Sequence, residues 1–295
     1  MDWKGRRQSN NVEDQRNSPL SAGIGGGGAA ILFRLIPFLL GSKIGRIILV
    51  IGGLGFAGAH FLGIDVMNLS SGAQTDRPPQ TLSPQDQELT EFVSVILADT
   101  EETWRVQFQK MDKVYQEPIL VLFKNRVDSA CGLGQAAMGP FYCPGDNKLY
   151  IDLSFYQEMK TKMGAPGDFA QAYVIAHEVG HHVQNLLGIS GKVRQAQENK
   201  STAEANALSV KLELQADCFA GMWGHFADRE RNILQVGDID EALNAAAAIG
   251  DDNLQEKSTG TIRPERFTHG TSKQRAEWFN RGFQTGDINE CNTFK

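Results

Sequence analysis

Two histidines four residues apart with a glutamate between them, His177-Glu178-Val179-Gly180-His181, are the stretch of this sequence best suited to chemistry. On a helix, residues i and i+4 lie on one face, one turn apart. Two imidazoles spaced in this way can share one Zn²⁺, and the carboxylate of Glu178 then stands beside the position left open. Zinc lowers the pKa of water towards neutrality, and a carboxylate within reach can take the proton. His182 follows directly but lies about 100° further round the helix, which takes it away from the same metal. The bare pattern arises by chance in about one chain of this length in a hundred, so its surroundings must carry the argument.

Those surroundings are helical and apolar. Phe169, Tyr173, Val174, Ile175, Val183, Leu186 and Leu187 supply an apolar face, no proline interrupts Asp168 to Leu187, and Gly188 stands where a helix would stop. Burying two histidines and a glutamate there without a metal would be costly. A third ligand must come from elsewhere. The position six residues after His181 is Leu187, which excludes a third histidine on an extended motif. Further on, Ser201-Thr202-Ala203-Glu204 reads as a capping box opening a helix to Arg229. On that helix Glu213 and Asp217 are four apart and share a face. Glu213 is the expected third zinc ligand. Asp217 is expected to accept a hydrogen bond from a ligand imidazole and fix its tautomer. A solvated acidic face is the competing reading, and the company of Leu212, Leu214, Ala216, Cys218 and Phe219 weighs against it.

His177-Glu-Val-Gly-His181-His182 followed by Glu213-Leu-Gln-Ala-Asp217 resembles the neutral zinc metallopeptidase family of bacterial membrane-anchored proteins. The likeness extends over most of the chain, through Met1-Asp-Trp-Lys-Gly-Arg6, Gly139-Pro-Phe-Tyr-Cys143-Pro, His269-Gly-Thr-Ser272 and Trp278-Phe. The two-helix arrangement is similar to the broader gluzincins, in which His, His and Glu bind zinc. The resemblance implies a helix-dominated α+β, zincin-like domain, a Zn²⁺ cofactor, and a peptide or protein substrate. The expected roles are zinc ligation by His177, His181 and Glu213, and general-base catalysis by Glu178. For the developing oxyanion the candidate donors are His269, Tyr173 and Arg275. Spacing does not choose among them, and His269 is carried as the further catalytic candidate. One rival is a membrane-tethered binding or assembly protein with a structural zinc site. It would need a closed four-ligand set, and it has no use for the base at Glu178. Hydrolysis of non-peptide amides is a second rival.

The rest of the chain bounds these readings. Its 295 residues carry a net charge of −6, which argues against nucleic acid as the main partner, and 41% of them are hydrophobic, enough for a sizeable core. Residues 1–46 read as a basic, glycine-containing cytoplasmic tail. Ile47 to Ile64 carries no charged residue and reads as a single membrane-spanning anchor. Residues 65–82 read as a linker and 83–295 as the catalytic domain. Ile31 to Leu40 is a shorter apolar stretch containing Arg34, suited to an interfacial helix or a poorer second span. Within the anchor, Gly53-Leu-Gly55-Phe-Ala-Gly58 imitates a dinucleotide fingerprint. The polar stretch after it offers no second strand or terminal acid, so no nucleotide cofactor is expected. Seven basic residues precede the anchor and only Arg77 follows it before Trp104, which predicts an inner-membrane protein with the catalytic part outside.

All four cysteines follow the anchor, so disulfides are expected, Cys131 with Cys143 and Cys218 with Cys291; free buried thiols are the alternative. Helices are expected from Ser83-Pro84 through Met111, over Asp240 to Ala248 and over Ser272 to Phe283. Strands are expected at Ile119 to Phe123 and Leu149 to Leu153, the latter being the candidate edge strand for pairing with an extended peptide, with an ordinary interior strand as the alternative.

Overall fold

The computed structural model describes residues 1–17 and 82–295. The apolar stretches Ile31 to Leu40 and Ile47 to Ile64, the glycine fingerprint and the linker lie outside the described residues. No helix among the described residues is long and apolar enough to cross a membrane.

The chain enters the fold through a three-residue strand, β1 (Val12–Asp14). Helix α1 (Pro84–Lys110) is capped by Ser83, which exchanges hydrogen bonds with Asp86, and Pro84 occupies the first turn, where an N–H would lack a partner. Strands β2 (Ile119–Phe123), β3 (Arg126–Ser129), β4 (Gly132–Gln135), β5 (Phe141–Cys143) and β6 (Lys148–Asp152) follow. A short α2 (Ser154–Glu158) leads to α3 (Asp168–Leu186), the helix carrying the histidine motif. Then come α4 (Ile189–Gln197), α5 (Thr202–Arg229), α6 (Asp238–Ala248), α7 (Asp251–Thr259) and α8 (Ser272–Thr285). The expected capping box of α5 is present between Ser201 and Glu204, and Thr271 with Gln274 makes another on α8.

The main sheet has the order β1-β2-β6-β5, with β1, β2 and β6 parallel and β5 antiparallel to β6. Alternation along the strands divides the core. Leu120, Leu122, Leu149 and Ile151 face the helices, while Val121, Phe123 and Tyr150 form a second cluster with Cys143 and Val127 on the other face. Two expectations are corrected here. The Leu149 to Leu153 strand, the candidate edge, is interior: β2 pairs with it on one side and β5 with Lys148–Tyr150 on the other, and the edges of the sheet are β1 and β5. The first part of the supposed tail is also no tail. Residues 1–16 form one compact unit with residues 82–295. β1 pairs with β2, Trp3 is only 7% exposed with its ring 5.3 Å from Phe92, and Ser9 and Asn11 donate to the buried Glu101 carboxylate at 2.5 and 2.9 Å.

Both expected disulfides are present. Cys131–Cys143 staples the β3–β4 hairpin to the edge strand, and Cys218–Cys291 ties the C-terminal segment to α5.

Because residues 1–16 belong to the core, Trp3→Ala should lower the unfolding free energy by about 3 kcal/mol, the cost of truncating a buried aromatic. Urea denaturation followed by circular dichroism measures this; an unshifted midpoint would detach the N-terminal arm from the fold.

Candidate metal centre

The site forms where α3 crosses α5. Gly180, inside the motif, has no Cβ, and one built there would lie 3.0 Å from the Ala216 carbonyl oxygen and 3.1 Å from its Cα. The missing side chain lets the two backbones touch at that point. His177 and His181 bracket Gly180 on one helix, and Glu213 and Asp217 bracket Ala216 on the other. The crossing therefore brings all four side chains together.

His177 Nε2 lies 3.2 Å from Glu213 Oε2, and His181 Nε2 lies 3.4 Å from Glu213 Oε1. Two donors each about 2.1 Å from a tetrahedral ion stand about 3.4 Å apart, so the spacing suits zinc. Other contacts set the imidazole tautomers. His177 Nδ1–H donates to Asp217 Oδ1 at 2.8 Å, and His181 Nδ1–H donates to Gln184 Oε1 at 2.9 Å. Both Nε2 lone pairs are thereby directed at the Glu213 carboxylate. Gln184 in turn donates to the Leu212 carbonyl at 2.7 Å and to Gln215 Oε1 at 3.2 Å, which ties His181 to α5. At this crossing the clustered donors among the described residues are His177, His181 and Glu213, three and not four. The set suits a metal with one position open.

Asp217 is fully buried and has partners besides His177. Arg275 clamps it with two bonds of 2.9 Å, from Nε to Oδ2 and from Nη2 to Oδ1, and the Tyr173 hydroxyl donates to Oδ1 at 2.5 Å. Arg275 reaches this depth because α8 crosses α5 at paired glycines. A Cβ on Gly282 would lie 1.9 Å from the Cys218 carbonyl oxygen, and one on Gly221 would lie 2.0 Å from that of Phe279. Tyr173 and Arg275, expected as possible oxyanion donors, are thus committed to Asp217.

His269 lies on the same cleft. Asp251 accepts the amides of Thr268, His269 and Gly270 at 2.7, 2.6 and 3.0 Å and holds His269 Nδ1 at 3.2 Å from its Oδ1. Nε2 of His269 has no hydrogen-bond partner among the described residues. His182 points elsewhere, with Nε2–H donating to the Gln116 carbonyl at 2.6 Å and Nδ1 3.1 Å from the Tyr142 hydroxyl on β5. The helix of the histidine motif and the edge strand β5 are therefore joined next to the site.

Burial opposes charge on every titratable group here, and the neighbours decide the outcome. For His177, burial disfavours the imidazolium, but the Asp217 and Glu213 carboxylates outweigh it and raise the pKa to about 9. His181 moves upward against burial through Glu213. Glu213 is pulled well below the carboxylate range by the two imidazoles, and Asp217 falls to about 2 through Arg275 and His177, both against burial. Glu178 goes the other way. Burial is the largest influence on its carboxyl and raises it.

Gln184 escaped the sequence reading, and so did the clamp of Arg275 on Asp217. Gln184 carried a usable signal, three residues beyond His181 and so on the same helical face. The role of Arg275 carried none, because its partner lies on a helix distant in sequence.

The cleft over these residues has a volume of about 720 Å³, and His177, Glu178, His181, Glu213 and His269 all line it. Comparison with known proteins gives the same direction. The family described as "Putative neutral zinc metallopeptidase" matches residues 1–294, and the chain belongs to it. The chain is 54% identical to the uncharacterized protein YpfJ of Escherichia coli K12 over 296 residues, covering 100% of this chain and 99% of that protein. It is 44% identical to the uncharacterized protein Rv2575 of Mycobacterium tuberculosis H37Rv over 190 residues, 61% of this chain and 63% of that protein. No solved structure matches the chain.

Asp217→Asn should weaken zinc binding by about ten- to a hundredfold, since the asparagine still reaches His177 but lacks the charge; competition with a chromogenic chelator reads the change. An unchanged affinity would remove Asp217 from the site's support. The chelated protein should show the sign of the His177 shift. A group raised from 6.5 to about 9 on folding contributes fully below pH 6.5, and its contribution is lost as the pH rises through 9. The melting temperature of the metal-free protein should therefore fall across that interval, and zinc should recover more stability at its upper end. A flat profile would show that the carboxylates do not hold a proton on His177.

Proposed function

We propose that this chain is a zinc-dependent peptidase that hydrolyses peptide bonds with water as the nucleophile and Glu178 as general base. The observation that carries the reading is the position of Glu178. It lines the cleft beside the three metal donors, is 8% exposed, and accepts no hydrogen bond from any described residue. A carboxylate kept free and raised by burial is ready to take a proton from water and return it to the leaving amine. His177, His181 and Glu213 would hold the ion. Zinc bound there would supply Lewis acidity and lower the pKa of water.

The remaining parts follow from the walls of the cleft. β5 is a sheet edge whose Phe141 and Tyr142 line the cleft, so an extended peptide can add to it through main-chain hydrogen bonds. With Tyr173 and Arg275 bound to Asp217, His269 is the donor we assign to the developing oxyanion, presented by its clamp on Asp251. The structural-zinc reading is disfavoured, because a closed site needs a fourth ligand and gives Glu178 nothing to do.

We also propose an extracytoplasmic location at a bacterial cytoplasmic membrane. Two disulfides suit an oxidising compartment. Since β1 pairs with β2, residues 1–16 and 82–295 occupy one side of any membrane. That puts Met1 on the side of the catalytic part, in place of the cytoplasmic N-terminus expected from the basic residues.

Glu178→Gln tests the mechanism. The variant should retain zinc and its fold while losing peptide hydrolysis by about a hundred- to ten-thousandfold. Elemental analysis and turnover of a peptide library measure the two halves. Wild-type turnover by a zinc-loaded Glu178→Gln protein would end the assignment.

A further inference from the structure

The cleft contains one cation that no group in the described protein answers. Of the charged side chains lining it, Arg275 is held by Asp217, His269 faces Asp251, Glu158 is paired with Lys162, and Glu213 faces the two imidazoles. Arg194 lines the same cleft from α4, and its guanidinium makes no hydrogen bond or ion pair with any described residue. Ser190 sits one turn earlier, also lines the cleft, and its hydroxyl is likewise unengaged among the described residues. The face that carries them is fixed in place. Val193 is buried, and the Gln197 amide donates at 2.9 Å to the Ala205 carbonyl and at 2.9 Å to Ser209 Oγ, which pins α4 to α5.

We propose that Arg194, assisted by Ser190, forms a carboxylate-binding subsite, so that the preferred substrates carry an acidic group near the scissile bond. A guanidinium offers a planar fork that matches a carboxylate bidentately, and a serine hydroxyl one turn away can add a third bond. An isolated surface arginine gains little from an ion pair in bulk water. Inside a cleft covered by a bound peptide the same pair is less screened. The carboxylate can belong to an Asp or Glu side chain or to the substrate's C-terminus. This inference rests on the peptidase reading for its substrate and on the free Arg194 for its specificity.

The test uses the full-length, zinc-loaded protein and a peptide series with one apolar core. Glu, Gln or Lys is placed at each flanking position, and every peptide is made as the free acid and as the amide. Turnover by the wild type is measured beside binding to the Glu178→Gln variant. A Glu side chain, or the free acid, should improve kcat/KM and binding by about tenfold or more over the neutral counterpart. The arm that shows the gain identifies the source of the carboxylate. Arg194→Glu, at an exposed position, should keep its zinc content, lose that preference and favour Lys-containing peptides. Equal turnover of all peptides, or a preference that survives Arg194→Glu, overturns the subsite and leaves the peptidase reading standing. Charge-dependent binding with no turnover by the wild type supports the subsite and removes the peptidase reading.

Discussion

The contact between α3 and α5 at Gly180 and Ala216 is the constraint on which the site depends. Metal donors must be placed to within a few tenths of an ångström, and neither helix alone can do that. Here the closest point of the crossing is also the centre of the donor set, because His177 lies three residues before Gly180 and His181 directly after it, while Glu213 lies three residues before Ala216 and Asp217 directly after it. Any side chain at position 180 would meet backbone at 3.0 to 3.1 Å, and backbone yields less readily than a flexible side-chain end. The movement would carry Glu213 away from both imidazoles at once. Gly180, at one of the motif's unspecified positions, is thus as much a part of the site as the ligands.

The second layer repeats the device. Paired glycines at 221 and 282 bring α8 against α5 and deliver Arg275 onto Asp217. Three helices, two glycine-mediated crossings and one disulfide between Cys218 and Cys291 therefore fix a single chain of contacts, from Arg275 through Asp217 to His177. Asp217 is held by Arg275 and Tyr173 as well as by His177.

How much of this could be read from the sequence follows from the range of each signal. The long helices were legible because their caps and apolar spacing are local: Ser83, Ser201 and Thr271 each begin a helix within a residue of where they stand. The histidine motif, Glu213 and Asp217 were legible because one helical repeat governs both pairs. β1 was not, since three residues containing two acids show no alternation; only its pairing with β2 makes it a strand. Which strand lies at the edge was also hidden. Lys148–Asp152 and Phe141–Cys143 are both short and apolar, and their order in the sheet is a property of the whole fold. The clamp of Arg275 on Asp217 joins residues 58 apart in sequence and depends on two backbones that touch only because both helices carry glycine.

Charge balance explains how so polar a site can be buried. Glu178, Glu213 and Asp217 bring three negative charges inward, and Arg275 is the permanent cation among the described residues that meets them. A divalent ion between two neutral imidazoles brings the sum to zero. Without the ion, a proton on each of His177 and His181 restores the same sum, and the neighbouring carboxylates push both histidines in that direction. Two protons and one divalent cation are therefore electrically equivalent occupants. A monovalent ion in place of the divalent one, or the loss of one protonated imidazole from the metal-free site, would leave an uncompensated carboxylate in the interior, where an unpaired charge is expensive. The charge balance therefore suits a divalent occupant, as the nitrogen and oxygen donors suit zinc. Arg275 belongs to that balance even though it touches none of the candidate donor atoms at bonding distance, because it is the permanent cation paired with the buried Asp217 carboxylate.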